Sequence, residues 1–175
     1  MILYVRLIDK TRWVDCISQE DLCGEAITED WRCIDNDWSV FRFEGSIDNL
    51  EKTELLNNIV LRMVADNVKK TQNGVDLLVL DDDFINDIHS DVRPDKRPKL
   101  NSYHCNISNI TYGKIQKAVK YTSRHCSNRV LSYSINEIHD LISQASPDFL
   151  VQYKKYASVR EERIDQINKA FRVNL

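Results

Sequence analysis

The order of apolar and polar positions predicts a mixed chain, with strands early and helices late. Met1–Ile8 is a short apolar run broken by Arg6 and reads as a strand. Trp38–Phe43 alternates and is rich in β-forming residues, giving a second strand. Val75–Leu80, reading Val-Asp-Leu-Leu-Val-Leu, is apolar on both faces after Asp76, as a central strand would be. Between the last two lies a helical pattern over about Ile47–Asn67. There Leu56, Ile59, Val60, Met63 and Val64 fall at i, i+3, i+4, i+7 and i+8, with Ser46 as the expected cap. Asn73-Gly74 marks the turn that follows. Strand, helix and strand in this order predict a βαβ unit with a right-handed crossover. A shorter helix is expected over Glu20–Arg32, weakened at Gly24 by about 1 kcal/mol relative to alanine.

Beyond Asp83 the pattern changes. Arg93-Pro94-Asp95-Lys96-Arg97-Pro98-Lys99 is charged and holds two prolines, which predicts an exposed loop. Asn109–Arg124 then reads as a helix with Tyr112, Ile115, Ala118 and Val119 on one side. Lys114, Lys117, Lys120 and Arg124 lie largely on the other. Ser134-Ile135-Asn136-Glu137 is a capping box opening a helix through about Ala145, stopped by Pro147. Ser158–Arg172 carries Ile164, Ile167 and Phe171 at helical spacing. The expected fold is α/β (α+β): a small three-stranded sheet with packed helices, followed by a helical C-terminal region. Its parts are an acidic α/β core over 1–92, a linker loop over 93–105 and a basic helical region over 106–175. The three are expected to form one compact unit.

Composition narrows the class. With 175 residues, 42% of them hydrophobic, the chain can bury a core without disulfides or a metal. Apolar residues recur throughout, which excludes disorder as the main state. Apolar stretches such as Leu77-Leu78-Val79-Leu80 are far too short to span a bilayer. The first residues show no basic lead and no long apolar core, so no export signal is expected. Five cysteines without a C-x-x-C pair then predict reduced thiols and a cytoplasmic location.

Charge changes the picture more. Residues 1–92 hold 20 acidic and 9 basic side chains, a balance of −11, whereas residues 93–175 hold 7 and 15, a balance of +8. Such a split suits two partners, or two halves of one fold attracting each other. Six of the seven tyrosines also lie in the basic part, and cations interleaved with rings suit nucleic acid. Lys114, Lys117, Lys120 and Arg124 are the candidate phosphate contacts.

Candidate chemistry is sparse. Asp81-Asp82-Asp83 closes the third strand, where α/β proteins place Mg²⁺, so Asp81 and Asp83 could serve a small metal-dependent nuclease. No phosphate-cradling G-x-x-x-x-G-K-[ST] occurs, which excludes a P-loop ATPase. His104-Cys105 and His125-Cys126 are poor zinc candidates, because adjacent side chains diverge. His89 and His139 read as surface or structural residues. Trp13, Trp31 and Trp38 are core residues by default. Exposed, they would form an interface hot spot, to which Tyr153 and Tyr156 could add. No cofactor and no catalytic residue is expected.

One further pattern is set by Met1-Ile2-Leu3-Tyr4-Val5-Arg6-Leu7-Ile8, Glu25-Ala26-Ile27-Thr28 and Asn36-Asp37-Trp38-Ser39-Val40-Phe41-Arg42. Val75-Asp76-Leu77-Leu78-Val79-Leu80 and Tyr103-His104-Cys105-Asn106-Ile107-Ser108-Asn109-Ile110-Thr111 continue it. Over residues 1–125 the chain resembles the small middle components of three-component bacterial anti-phage systems of the Lamassu type. Trp31 and Cys33 depart from that pattern. The resemblance implies a non-enzymatic adapter between an SMC-like ABC ATPase and an effector nuclease. DNA would then be met through the complex, with no membrane involved.

Overall fold

The computed structural model describes residues 1–18, 24–94, 103–145, 147–157 and 162–175. Its first elements are β1 (Ile2–Ile8), α1 (Lys10–Ser18), α2 (Gly24–Asp30), β2 (Trp38–Glu44), α3 (Glu54–Asp66) and α4 (Val68–Thr71). Next come β3 (Val75–Leu80), α5 (Asp82–Asp87), β4 (Val92–Pro94) and β5 (His104–Ile107). The chain continues with α6 (Tyr112–His125), β6 (Val130–Tyr133), α7 (Ile135–Gln144), α8 (Pro147–Ala157) and α9 (Arg163–Phe171). The fold is α+β, but the sheet has six strands where three were expected, in the order β4-β5-β2-β1-β3-β6.

The three strands legible in the sequence form the middle of this sheet. β1 pairs antiparallel with β2, setting Leu3 opposite Phe43, and antiparallel with β3, setting Val5 opposite Val79. β2 and β3 therefore run parallel to one another with β1 inserted between them. The expected βαβ unit is thus a split one. β2 also pairs with β5, and β5 with β4, both antiparallel. β4 is three residues long and ends on Pro94, a common way to blunt a sheet edge. It occupies part of the predicted linker, and β5 occupies its end. Residues 95–102 of that linker, and the start of the predicted Glu20–Arg32 helix, lie outside the described residues.

Contacts divide the chain into two compact units, and the boundary is not the sequence boundary near residue 92. The first comprises Met1–Glu51, Asp76–Lys96 and Tyr103–Leu131; the second includes Lys52–Val75 and Ser132–Leu175. Segments distant in sequence meet because the sheet collects β1, β2, β3 and β5 through long-range pairing. In the first unit, one sheet face supplies Tyr4, Ile8, Trp38, Val40, Leu78, Leu80, Cys105 and Ile107 to a core. Trp13, Trp31, Phe84, Ala118 and Val119 from the helices and their flanks complete it. The residues that alternate with these, among them Leu3, Val5, Leu77 and Val79, are also fully buried. That explains the near-continuous apolar runs.

The second unit is built on α3, whose apolar stripe is buried as its spacing predicted. Its cap is Thr53, which accepts the Leu56 amide at 3.3 Å, so the helix starts later than a Ser46 cap would place it. α3 meets α4, α7, α8 and α9 around Ile138, Ile142, Tyr153, Ile167 and Phe171. The capping box at Ser134 and Glu137 is present. Pro147 opens α8, at a position where its missing N–H costs nothing. Gly74 sits at φ +118°, and a Cβ there would lie 2.8 Å from the Tyr133 carbonyl oxygen, so glycine is required at this turn.

Candidate functional site

Asp81 follows β3 and caps α5. Its Oδ1 accepts the Phe84 amide at 2.9 Å, and its Oδ2 accepts Arg129 Nη1 at 2.5 Å. The same Nη1 donates to the Tyr121 hydroxyl at 2.7 Å, which itself donates to the Val79 carbonyl at 3.1 Å. Arg129 is placed by its own backbone, whose carbonyl accepts the Val79 amide at 2.8 Å. The His125 ring lies 4.6 Å from that of Tyr121. Burial raises the Tyr121 pKa. Burial and the Arg129 charge lower that of His125. Arg129 loses hydration here, yet its bonds to Tyr121 and Asp81 hold its pKa above the ordinary value.

Asp81 and Asp83, the alternative metal pair, have different surroundings. Asp81 is buried with both oxygens engaged, while Asp83 is exposed in the first turn of α5. An acid there suits the helix N-terminus without any ligand. Among the described residues no group of three His, Cys, Asp or Glu side chains is placed to hold a metal ion. His104 lies against Phe41, at 5.1 Å between ring centroids, whereas Cys105 joins the core on the opposite face of β5.

The tryptophans take the default core reading, and the interface alternative falls. Trp13, Trp31 and Trp38 are at most 1% exposed, so this chain carries no indole hot spot on its surface. Each indole N–H is used internally: Trp13 donates to Asp30 Oδ2 at 2.7 Å, Trp31 to Thr122 Oγ1 at 3.0 Å and Trp38 to the Trp31 carbonyl at 3.1 Å. Beside them sits a buried cation. Arg6 donates to the backbone carbonyls of Asp30 at 2.6 Å, Ser39 at 2.8 Å and Arg32 at 3.4 Å. Its guanidinium lies 4.9 Å from the Trp31 ring centroid. Burial lowers the Arg6 pKa to about 10 and raises that of Asp30. Tyr153 is buried as well, in the second unit; Tyr156 lies on α8, its side chain outside the described set.

The basic residues of α6 divide into two pairs. Lys114 Nζ reaches Ser90 Oγ at 2.8 Å and the His89 carbonyl at 3.3 Å, and Lys117 Nζ reaches Asp87 Oδ1 at 3.0 Å. Lys120 and Arg124 are exposed. Tyr112, expected on the apolar side, is 75% exposed at the start of the helix. Part of the charge asymmetry is therefore met within the fold, through Lys117–Asp87 and Arg129–Asp81. The rest follows the two units: the first carries 19 acidic and 12 basic residues, the second 8 and 12, for balances of −7 and +4.

Sequence reasoning missed Arg129, Tyr121 and Asp30 as cluster members. The one available signal was Arg6, a cation interrupting an apolar strand, which must find partners if the strand is buried. The fold and these clusters define a two-unit α+β chain whose Arg6 and Arg129 guanidinium groups are tied into its own structure. No protein-family model, curated protein or solved structure matches it. Among the described residues no helix is long and apolar enough to cross a membrane.

Proposed function

We propose that the chain is a non-enzymatic adapter bridging an SMC-like ABC ATPase and an effector nuclease in a bacterial anti-phage complex. The observation that carries this reading is the opposite charge of the two compact units, −7 and +4. Two surfaces of opposite sign favour two different partners and penalise the wrong pairing. The resemblance over residues 1–125 supplies the identity of those partners. The placement of Asp81 agrees with a structural role, since its carboxylate serves as a cap and an ion-pair partner.

The test is co-expression of the chain with the products of its neighbouring genes, with a tag on this chain alone. An adapter retains the ATPase and the effector together, and the two separate when it is left out. A chain that purifies alone, or an ATPase and effector that associate equally well without it, would dispose of the proposal.

A further inference from the structure

From Lys96 to Asn136 the sequence holds no aspartate or glutamate, although acidic residues are the majority charge of the whole chain. Eight lysines and arginines fall in that stretch. α6 lies at its centre, inside a unit whose overall balance is −7. The outward positions along and beside the helix include Thr111, Gln116, Lys120, Arg124, Ser127 and Asn128. Two are cations and four are neutral hydrogen-bonding groups. Lys120 and Arg124 stand one turn apart, about 6 Å of helix rise, and so face the same way.

The flank of this strip is also arranged. α5 carries Asp82, Asp83 and Asp87, all exposed, which would repel an anion approaching α6. Lys117 holds Asp87 at 3.0 Å, and Lys114 is bonded to the adjoining Ser90. Lys117 thus offsets Asp87, and among the described residues Lys120 and Arg124 are left exposed for another ligand.

We infer that the outer face of α6, through Lys120 and Arg124, binds the phosphodiester backbone of nucleic acid directly. This goes beyond the adapter reading, in which DNA is met through the complex, and it stands or falls independently. A nucleic-acid backbone fits better than an acidic protein segment because of what the strip lacks. Protein interfaces centre on buried apolar anchors, yet the one large exposed hydrophobic residue on α6 is Tyr112, at its first position. Phosphate contacts need cations and neutral donors such as Ser, Thr, Asn and Gln, which are what the strip presents.

The experiment is fluorescence anisotropy of the full chain against three labelled probes: a duplex of about 20 base pairs, a single strand of the same length, and an oligoglutamate peptide, from about 50 to 200 mM salt. Binding of either nucleic acid is expected, with a log–log salt slope of about −2, one unit for each free cation. A Lys120→Glu/Arg124→Glu double variant should weaken it about tenfold or more at the lowest salt, with unchanged circular dichroism and melting. Asp87→Asn, which removes the acid paired with Lys117 and releases that lysine, should tighten it a few-fold. The duplex and single-strand arms tell which form is taken, and preference for either supports the inference. Absence of nucleic-acid binding, wild-type binding by the double variant, or oligoglutamate bound as tightly as nucleic acid would each overturn it.

Discussion

Two polar clusters in the first unit use the same chemistry to different ends. Around Arg6 a guanidinium is sealed among Trp31, Trp38 and three backbone carbonyls, with the Asp30 carboxylate held separately by Trp13 and the Asp9 amide. Around Arg129 a guanidinium meets a carboxylate and a phenol at a strand end, where its side chain is still 23% exposed. In the interior no water can replace a lost partner, so the guanidinium donors of Arg6 are matched by protein carbonyls. At the strand end Arg129 reaches solvent, so water can take over part of its lost bonding. An arginine in sequence is therefore neither a ligand nor a brace until its depth is known.

The largest expected effect breaks the interior cluster. Arg6→Met keeps the volume but strands the carbonyls of Asp30, Ser39 and Arg32, and should cost about 3–5 kcal/mol in urea unfolding. A loss under about 1 kcal/mol would mean that water reaches these carbonyls after all. Asp81→Ala sharpens the contrast. It removes the α5 cap and leaves Arg129 to solvent, for an expected loss of about 1–2 kcal/mol. A penalty as large as that of Arg6→Met would show that the strand end is as dry as the core.

The smallest effect lies in the second unit. The Lys52 ammonium and the Ser134 cap bonds pull the Glu137 carboxyl from 4.5 down to about 2. A depressed acid contributes stability above its ordinary value and loses it as the pH falls through the folded value. Between pH 4.5 and 2 the wild type should thus lose a helical signal that Glu137→Gln never had. The pair is nearly half exposed, so solvent keeps the difference small. Superimposable acid titrations of the two proteins would remove Glu137 from the account.

Long elements with a repeating pattern were legible. β1, β2 and β3, the buried stripe of α3, the capping box of α7 and the Ile167–Phe171 face of α9 all follow from local spacing. β4, β5 and β6 were not, being three or four residues long and formed by pairing rather than by propensity. α5 has six residues, and its one clear signal, an aspartate ahead of Phe84, also looks like a metal site. The candidate site was half legible. Lys114, Lys117, Lys120 and Arg124 were visible as a helix face, but only the fold divides them into two engaged and two exposed.

The amino-acid order alone determined the α+β class, the central strands, the stripe of α3 and the uneven charge. Each depends on neighbours within a few residues or on simple counts. Tertiary structure alone decided that β1 separates β2 from β3, that the tryptophans enclose Arg6, and that Asp81 meets Arg129. Those facts join positions as distant in sequence as Tyr4 and Leu80, and no local preference records which distant group will satisfy a buried donor.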